Sequence, residues 1–105
     1  MSDTIAAIAT GGQITAIGII RLSGDGALET ADRVFFPRDG RPMSAHADRK
    51  LVFGELRDAD GGVLDLCLCT ISRGPGSYTG EDTAELQCHG SPTVLRCALE
   101  ALFAA

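Results

Sequence analysis

The sequence is poor in basic residues, and Lys50 is its only lysine. Nine Lys and Arg face fourteen Asp and Glu, which gives a formal net charge of -5. A domain that binds nucleic acid by itself needs a concentrated basic face to displace counterions from phosphates. The composition therefore argues against a stand-alone nucleic-acid-binding domain.

The sequence also lacks long apolar runs, and we expect no secretory leader. One of its longest apolar runs, residues 64–71, is too short to cross a bilayer and contains Asp65. The first four residues offer no basic stretch ahead of an apolar segment, as a secretory signal would. We expect no membrane association and a cytoplasmic location. In that reducing compartment the four cysteines are expected to be free thiols: Cys67, Cys69, Cys88 and Cys97.

The length and apolar content predict a single small domain over residues 1–105. Hydrophobic residues make up 45% of the 105, enough for a packed core. Runs rich in β-branched and apolar residues predict strands at 4–10, 16–22, 51–58, 63–71 and 82–88. Asp60-Gly61 between two of these runs predicts a hairpin.

Two segments have the 3.6-residue apolar period of a helix. The first covers about 26–36, with Ser23 as a plausible N-cap and Pro37 as its stop, and a surface loop follows over 37–50. The second begins at Ser91-Pro92, with Ser as N-cap and Pro at the first helical position. We predict an α+β fold, with a mixed sheet of about five strands and two main helices.

The glycine-rich segment 73–80 does not predict a nucleotide site. A phosphate-binding P-loop needs four residues between its glycines, followed by Lys and Ser or Thr. Here Glu81 and Asp82 follow Gly80, and their charges would repel phosphate. The simplest interpretation is a structural turn between two strands.

Two weaker patterns involve the thiols. Cys67 and Cys69 share one face of a strand, and Cys88 with His89 could complete a zinc set, although zinc sites favour C-x₂-C pairs on turns. A thiol nucleophile with His89 or His46 as its base is a second possibility. Because neighbours on a strand point to opposite faces, Cys88 and His89 cannot pair directly, and core packing is the simpler role for the cysteines.

Arg21 and Glu85 are the two charged residues that raise a functional question. Arg21 interrupts an otherwise apolar strand, so it must pair with a carboxylate, reach solvent or face a ligand. Glu85 shares a strand face with Thr83 and Gln87, while Ala84 and Leu86 face the core. An ordinary exposed glutamate fits this pattern, and so does a carboxylate that accepts two hydrogen bonds from one planar donor edge.

Three stretches in this order resemble a known family. They are Asp3–Thr10, Ile17–Gly24, and above all Gly74-Pro75-Gly76-Ser77-Tyr78-Thr79-Gly80-Glu81-Asp82 followed by Glu85-Leu86-Gln87 and His89-Gly90. Together they resemble the N-terminal domain of the tRNA modification GTPase MnmE (TrmE) family. The resemblance covers nearly the whole chain. The loop 11–16 departs from the family's usual proline- and glycine-rich loop.

The resemblance implies a fold like the tetrahydrofolate-binding domain of aminomethyltransferases, a homodimer, and binding of 5-formyltetrahydrofolate or 5,10-methylenetetrahydrofolate. By position, Arg21 and Glu85 are the folate-binding residues, with Glu85 on the pterin, and no catalytic or metal-binding residue is implied. A further family lysine lies beyond Ala105.

The whole protein, with an FAD-dependent partner called MnmG (GidA), is implied to modify the wobble uridine of tRNA at carbon 5. GTP, Mg²⁺ and K⁺ would belong to a GTPase domain outside this chain, so the fragment alone is expected to be inactive. Contact with tRNA would come through the full complex. The alternative is a dimerisation or scaffold module without a working folate site. The discriminating expectation is that Glu85 keeps its carboxylate free beside a pocket, with Arg21 near its rim.

Overall fold

The computed structural model describes residues 4–8, 17–74, 80–89 and 92–104. In chain order the elements are β1 (Ile5–Ile8), β2 (Ile17–Ser23), α1 (Ala27–Val34), β3 (Phe35–Pro37), a 3₁₀ turn (Met43–Ala45), β4 (Val52–Arg57), β5 (Val63–Ser72), β6 (Thr83–His89) and α2 (Pro92–Ala104). Neither helix in these residues is long and apolar enough to span a membrane.

The six strands form one sheet in the order β1-β2-β6-β5-β4-β3. The α+β prediction is confirmed, with six strands where about five were expected. The five described pairings are all antiparallel, so the sheet is not mixed. The predicted hairpin joins β4 to β5, and its turn is closed because Asp58 accepts hydrogen bonds from the N–H groups of Asp60 and Gly62.

The helices cover one face of the sheet. Every second residue of β2 and β6 is buried beneath them, as the period of two requires. The core consists of side chains from both helices and the inner face of the sheet: Ile20, Leu22, Ala27, Ala31, Val34, Phe35, Met43, Leu56, Cys67, Cys69, Ile71, Ala84, Leu86, Cys88, Leu95, Ala98, Ala101 and Leu102. The other face of the sheet, which we call the outer face, carries the alternate residues.

The first helix differs from its prediction at both ends. Its N-cap is Gly26, and Ser23 is instead the last residue of β2, where its hydroxyl donates to Glu81 Oε2 at 3.0 Å. The helix ends at Val34 because Phe35–Pro37 leaves the helical path and pairs with β4. Gly54 permits this pairing, since a Cβ there would lie 2.5 Å from the backbone oxygen of Phe36.

Helix α2 begins at Pro92, as predicted, while the predicted cap Ser91 lies outside the described residues. Gly18 lets this helix lie close to β2, because a Cβ at position 18 would lie 2.6 Å from Leu95 Cδ2. Phe103, which belongs to the wide apolar face of α2, is 71% exposed. Parts of the predicted first and second strands, residues 9, 10 and 16, also lie outside the description.

Candidate functional site

The register of β2 against β6 brings the two charged candidates together on the outer face. Arg21 lies directly opposite Glu85, and Glu85 lies opposite Thr70 of β5 on its other side. β6 therefore lies between β2 and β5. Its outward side chains lie over the middle of the sheet and not at one of its edges. Oppositely charged residues directly opposite each other on a sheet attract, which supports this register.

Arg21 and Glu85 form an ion pair. Arg21 Nε donates to Glu85 Oε1 at 2.9 Å, and Nη2 of the same guanidinium donates to the same oxygen. The side chain of Arg21 is 52% exposed and that of Glu85 is 25% exposed. Among the described residues, Glu85 Oε2 has no hydrogen-bond partner.

The expectation of a free carboxylate at Glu85 is wrong. The physical reason is the register, which places the guanidinium beside Oε1. The pair is nevertheless not the closed, buried salt bridge that would exclude a ligand, because it lies on the open face and engages only one carboxylate oxygen. The arrangement can accept a further donor at Oε2 and offer a guanidinium edge beside it.

The residues that flank the segment 75–79 lie close together. Gly74 donates its N–H to Asp82 Oδ1 at 3.0 Å, and the backbone oxygen of Asp82 accepts from Gly24 at 3.0 Å. A Cβ at Gly74 would lie 2.5 Å from the backbone oxygen of Gly80, so a side chain at 74 would force these residues apart. The loop itself, 75–79 with Tyr78, lies outside the described residues.

His89 ends β6 and is held by a carboxylate. Its Nδ1 lies 2.6 Å from Asp65 Oδ1, and its backbone N–H donates to Asp65 Oδ2 at 2.8 Å. The side chain of Asp65 is 8% exposed, while that of His89 is 72% exposed. Sequence reasoning did not pair these residues, because no local signal links positions on two different strands.

Three of the four cysteines pack in the core. Cys67, Cys69 and Cys88 are buried, and Cys97 is partly exposed. The neighbouring Cys88 thiol, together with burial, raises the pKa of Cys67, and burial raises that of Cys69. Among the described residues no group of three potential ligands is placed to hold a metal ion, and neither histidine is bonded to a thiol.

A groove of about 360 Å³, lined by both apolar and charged side chains, lies on the outer face, away from Arg21 and Glu85. Its lining residues come from β3, β4 and β5: Phe36, Pro37, Arg38, Phe53, Gly54, Glu55, Arg57 and Leu66. Phe53 is 40% exposed and Leu66 52%. The guanidinium of Arg57 lies over the Phe36 ring, 4.2 Å from its centroid. We call the part of the outer face around Arg21 and Glu85, on β2 and β6, its polar half. We call the part around Phe53 and Leu66, on β4 and β5, its apolar half, although it also carries the Arg57–Glu55 pair.

Comparison with known proteins places the chain in a family. The family model described as the GTP-binding protein TrmE N-terminus matches residues 4–105. The chain belongs to the TrmE N-terminal family. The match includes both strands that carry Arg21 and Glu85 and the loop between β5 and β6.

Three curated relatives are each named tRNA modification GTPase MnmE. The protein of Symbiobacterium thermophilum is 47% identical over 98 residues, which cover 93% of this chain and 21% of the relative. That of Carboxydothermus hydrogenoformans is 44% identical over 101 residues, covering 95% and 22%. That of Thermus thermophilus is 45% identical over 105 residues, covering 99% and 24%. The chain therefore spans about a fifth to a quarter of the length of these relatives.

Proposed function

We propose that this domain binds a reduced folate on the polar half of its outer face, and that it is the dimerising N-terminal part of a tRNA-modifying GTPase. The ligand is 5-formyltetrahydrofolate or 5,10-methylenetetrahydrofolate. In the whole protein the domain would act with the FAD-dependent MnmG at the wobble uridine of tRNA, in the cytoplasm. GTP, Mg²⁺ and K⁺ would belong to a part of the protein outside this chain.

The observation that carries the proposal is that Arg21 bonds only one of the two carboxylate oxygens of Glu85. A pterin presents N3–H and its 2-amino group as two parallel donors, which one carboxylate can accept together. Glu85 Oε2 has no partner among the described residues, and Oε1 is shared only with Arg21. A pterin can therefore dock at Oε2 and gain its second hydrogen bond by displacing part of the guanidinium.

Displacing Arg21 costs little, because the pair is exposed. Exposed ion pairs contribute about 0–1 kcal/mol, and the Arg21 side chain is 52% exposed. The released guanidinium stays beside the ligand and can donate to its carbonyl or carboxylate groups. Arg21 would thus neutralise Glu85 in the empty domain and contact the ligand in the occupied one.

A scaffold without a folate site is the second candidate. The existing Arg21–Glu85 pair and the exposed apolar half of the outer face favour it, since an apolar surface suits a second protein surface. Leu51, Phe53, Val63 and Leu66 are each at least 40% exposed. Homodimerisation is part of both candidates, so ligand binding separates them.

The test is titration of 5-formyltetrahydrofolate by calorimetry, with the oligomeric state measured on the same sample by sedimentation velocity. We expect Glu85→Gln to weaken binding about 10-fold or more, since a hydrogen bond to a charged group contributes about 1.5–3 kcal/mol. The matched control is Glu55→Gln, because Glu55 also pairs with an arginine on the outer face, Arg57. A dimer that binds no folate would favour the scaffold, whereas equal folate affinities for both variants would show that Glu85 does not bind the ligand.

A further inference from the structure

The two histidines differ in exposure and in how many of their ring nitrogens are bonded. His46 has a side chain only 11% exposed, and both of its ring nitrogens are engaged, Nδ1 with the Pro42 oxygen at 3.0 Å and Nε2 with Asp39 Oδ2 at 2.7 Å. His89 is 72% exposed and engages only Nδ1 among the described residues. His46 is therefore a structural histidine, whereas His89 presents an oriented, open nitrogen.

Asp65 fixes the form of the His89 ring. Its carboxylate oxygens can only accept, so Nδ1 of His89 must carry the hydrogen. In the neutral ring Nε2 is then an acceptor facing solvent. Asp65 is itself held by the backbone N–H groups of Leu66 and His89, at 2.9 and 2.8 Å. The contact with Asp65 fixes the direction of Nε2, which in the neutral ring can only accept a hydrogen bond.

His89 lies on the same strand as Glu85 and in the same outward set of alternate residues, four positions away. At about 3.3 Å per residue the two Cα atoms are roughly 13 Å apart. The tail of a folate leaves the pterin from the end opposite its 2-amino group, so a pterin edge on Glu85 directs the tail away from that carboxylate. Asp82 precedes β6 and its charge repels an anionic tail, whereas the carboxylate at the other end of the strand, Asp65, is only 8% exposed and is engaged by His89. The His89 end is the favourable direction.

We propose that His89 is a second ligand-binding residue, whose Nε2 accepts a hydrogen bond from an N–H group of the folate tail, with Asp65 as the residue that positions its ring. This inference rests on the proposed function and extends it, because it gives the tail a direction along β6. The tail amide between the aminobenzoyl and glutamate groups is a donor of the required chemistry.

The test uses His89→Asn, whose amide nitrogen can still donate to Asp65 while Nε2 is removed. We expect its dissociation constant for 5-formyltetrahydrofolate to rise about 2- to 10-fold, the effect of one neutral hydrogen bond. For 5-formyltetrahydropterin, which has no aminobenzoylglutamate tail, the same variant should bind like the wild type. His46→Asn is the matched control and should leave both affinities unchanged.

A readout without ligand checks the role of Asp65. Nitrogen-15 spectra of the wild type should show the Nδ1–H form of His89, and Asp65→Asn should shift the ring toward the other tautomer. The inference would be overturned if His89→Asn bound folate with wild-type affinity, or if it lost as much affinity for the tail-free pterin. It would also be overturned if the neutral His89 ring of the wild type carried its hydrogen on Nε2. If Glu85→Gln abolishes binding while His89→Asn does not weaken it, only this inference fails. If the wild type binds no folate, the proposed function fails with it.

Discussion

The Arg21–Glu85 pair should contribute little to folding, and a double-mutant cycle measures how little. The perturbation is Arg21→Gln, Glu85→Gln and the combined variant. Two unit charges 4 Å apart attract by about 1 kcal/mol in water, and the Arg21 side chain is 52% exposed. Measured couplings of exposed pairs are about 0.2–1 kcal/mol. We therefore expect a coupling free energy of about 0.5 kcal/mol.

The assay is urea unfolding at 25 °C in low salt and again at 1 M salt. At 1 M the screening length is about 3 Å, so the coupling of an exposed pair should largely disappear. The pair Arg57–Glu55 provides a matched cycle, because both of its side chains are 37% exposed and it lies on the same face. A coupling above about 2 kcal/mol, or one that persists at 1 M salt, would mean that the pair is a structural lock. The reasoning that lets a ligand displace Arg21 would then be refuted.

Three further predictions concern the frame around the site. Gly54→Ala should destabilise the protein by about 2–3 kcal/mol, because its Cβ would lie 2.5 Å from the Phe36 backbone oxygen; an unchanged melting temperature would contradict this. The Arg73 backbone N–H and guanidinium lower the pKa of Asp48 from its ordinary 3.8. The ionised carboxylate therefore stabilises the fold above pH 3.8, and this stabilisation is lost as the pH falls through the lowered pKa of the folded state. Asp48→Asn should reduce thermal stability at pH 7 and flatten its decline below pH 3.8, and a parallel acid profile would count against it. Cys97, the partly exposed thiol, should react first with Ellman's reagent in the folded protein; a fast phase that survives Cys97→Ser would disprove this.

Local patterns in the sequence were sufficient to predict much of the fold. The alternation in β6 put Glu85 outward, and the Asp60-Gly61 turn predicted the β4–β5 hairpin, because both signals lie within a few residues. The short strand Phe35–Pro37 was missed, since its apolar residues continue the helical period of α1. Only its pairing with β4, further along the chain, makes it a strand.

The contacts within the site could not be predicted from local sequence patterns either. Arg21 and Glu85 are 64 positions apart, and the sequence indicated each of them separately. Their contact depends on which strand inserts next to β2 and in which register, and no local propensity encodes that choice. The Asp65–His89 contact was missed for the same reason, since it joins residues of two strands at the point where the β5–β6 ladder has ended.

If the domain binds both a ligand and a protein partner, as proposed, the outer face is the part of the sheet that is open to both. The helices cover only the inner face, so every outward side chain must be compatible with solvent or be covered by something else. Along β6 the outward residues are charged or polar, and they can exchange water for the donor edge of a small molecule at low cost. On β4 and β5 the exposed Phe53 and Leu66 lie beside the Arg57–Glu55 pair. The guanidinium groups of Arg38 and Arg57 lie over the rings of Phe53 and Phe36. Cations over aromatic rings shield apolar surface while leaving it available for contact. Because β5 pairs with both β4 and β6, a partner bound over the apolar half would border the ligand on the polar half, and each could affect the affinity of the other.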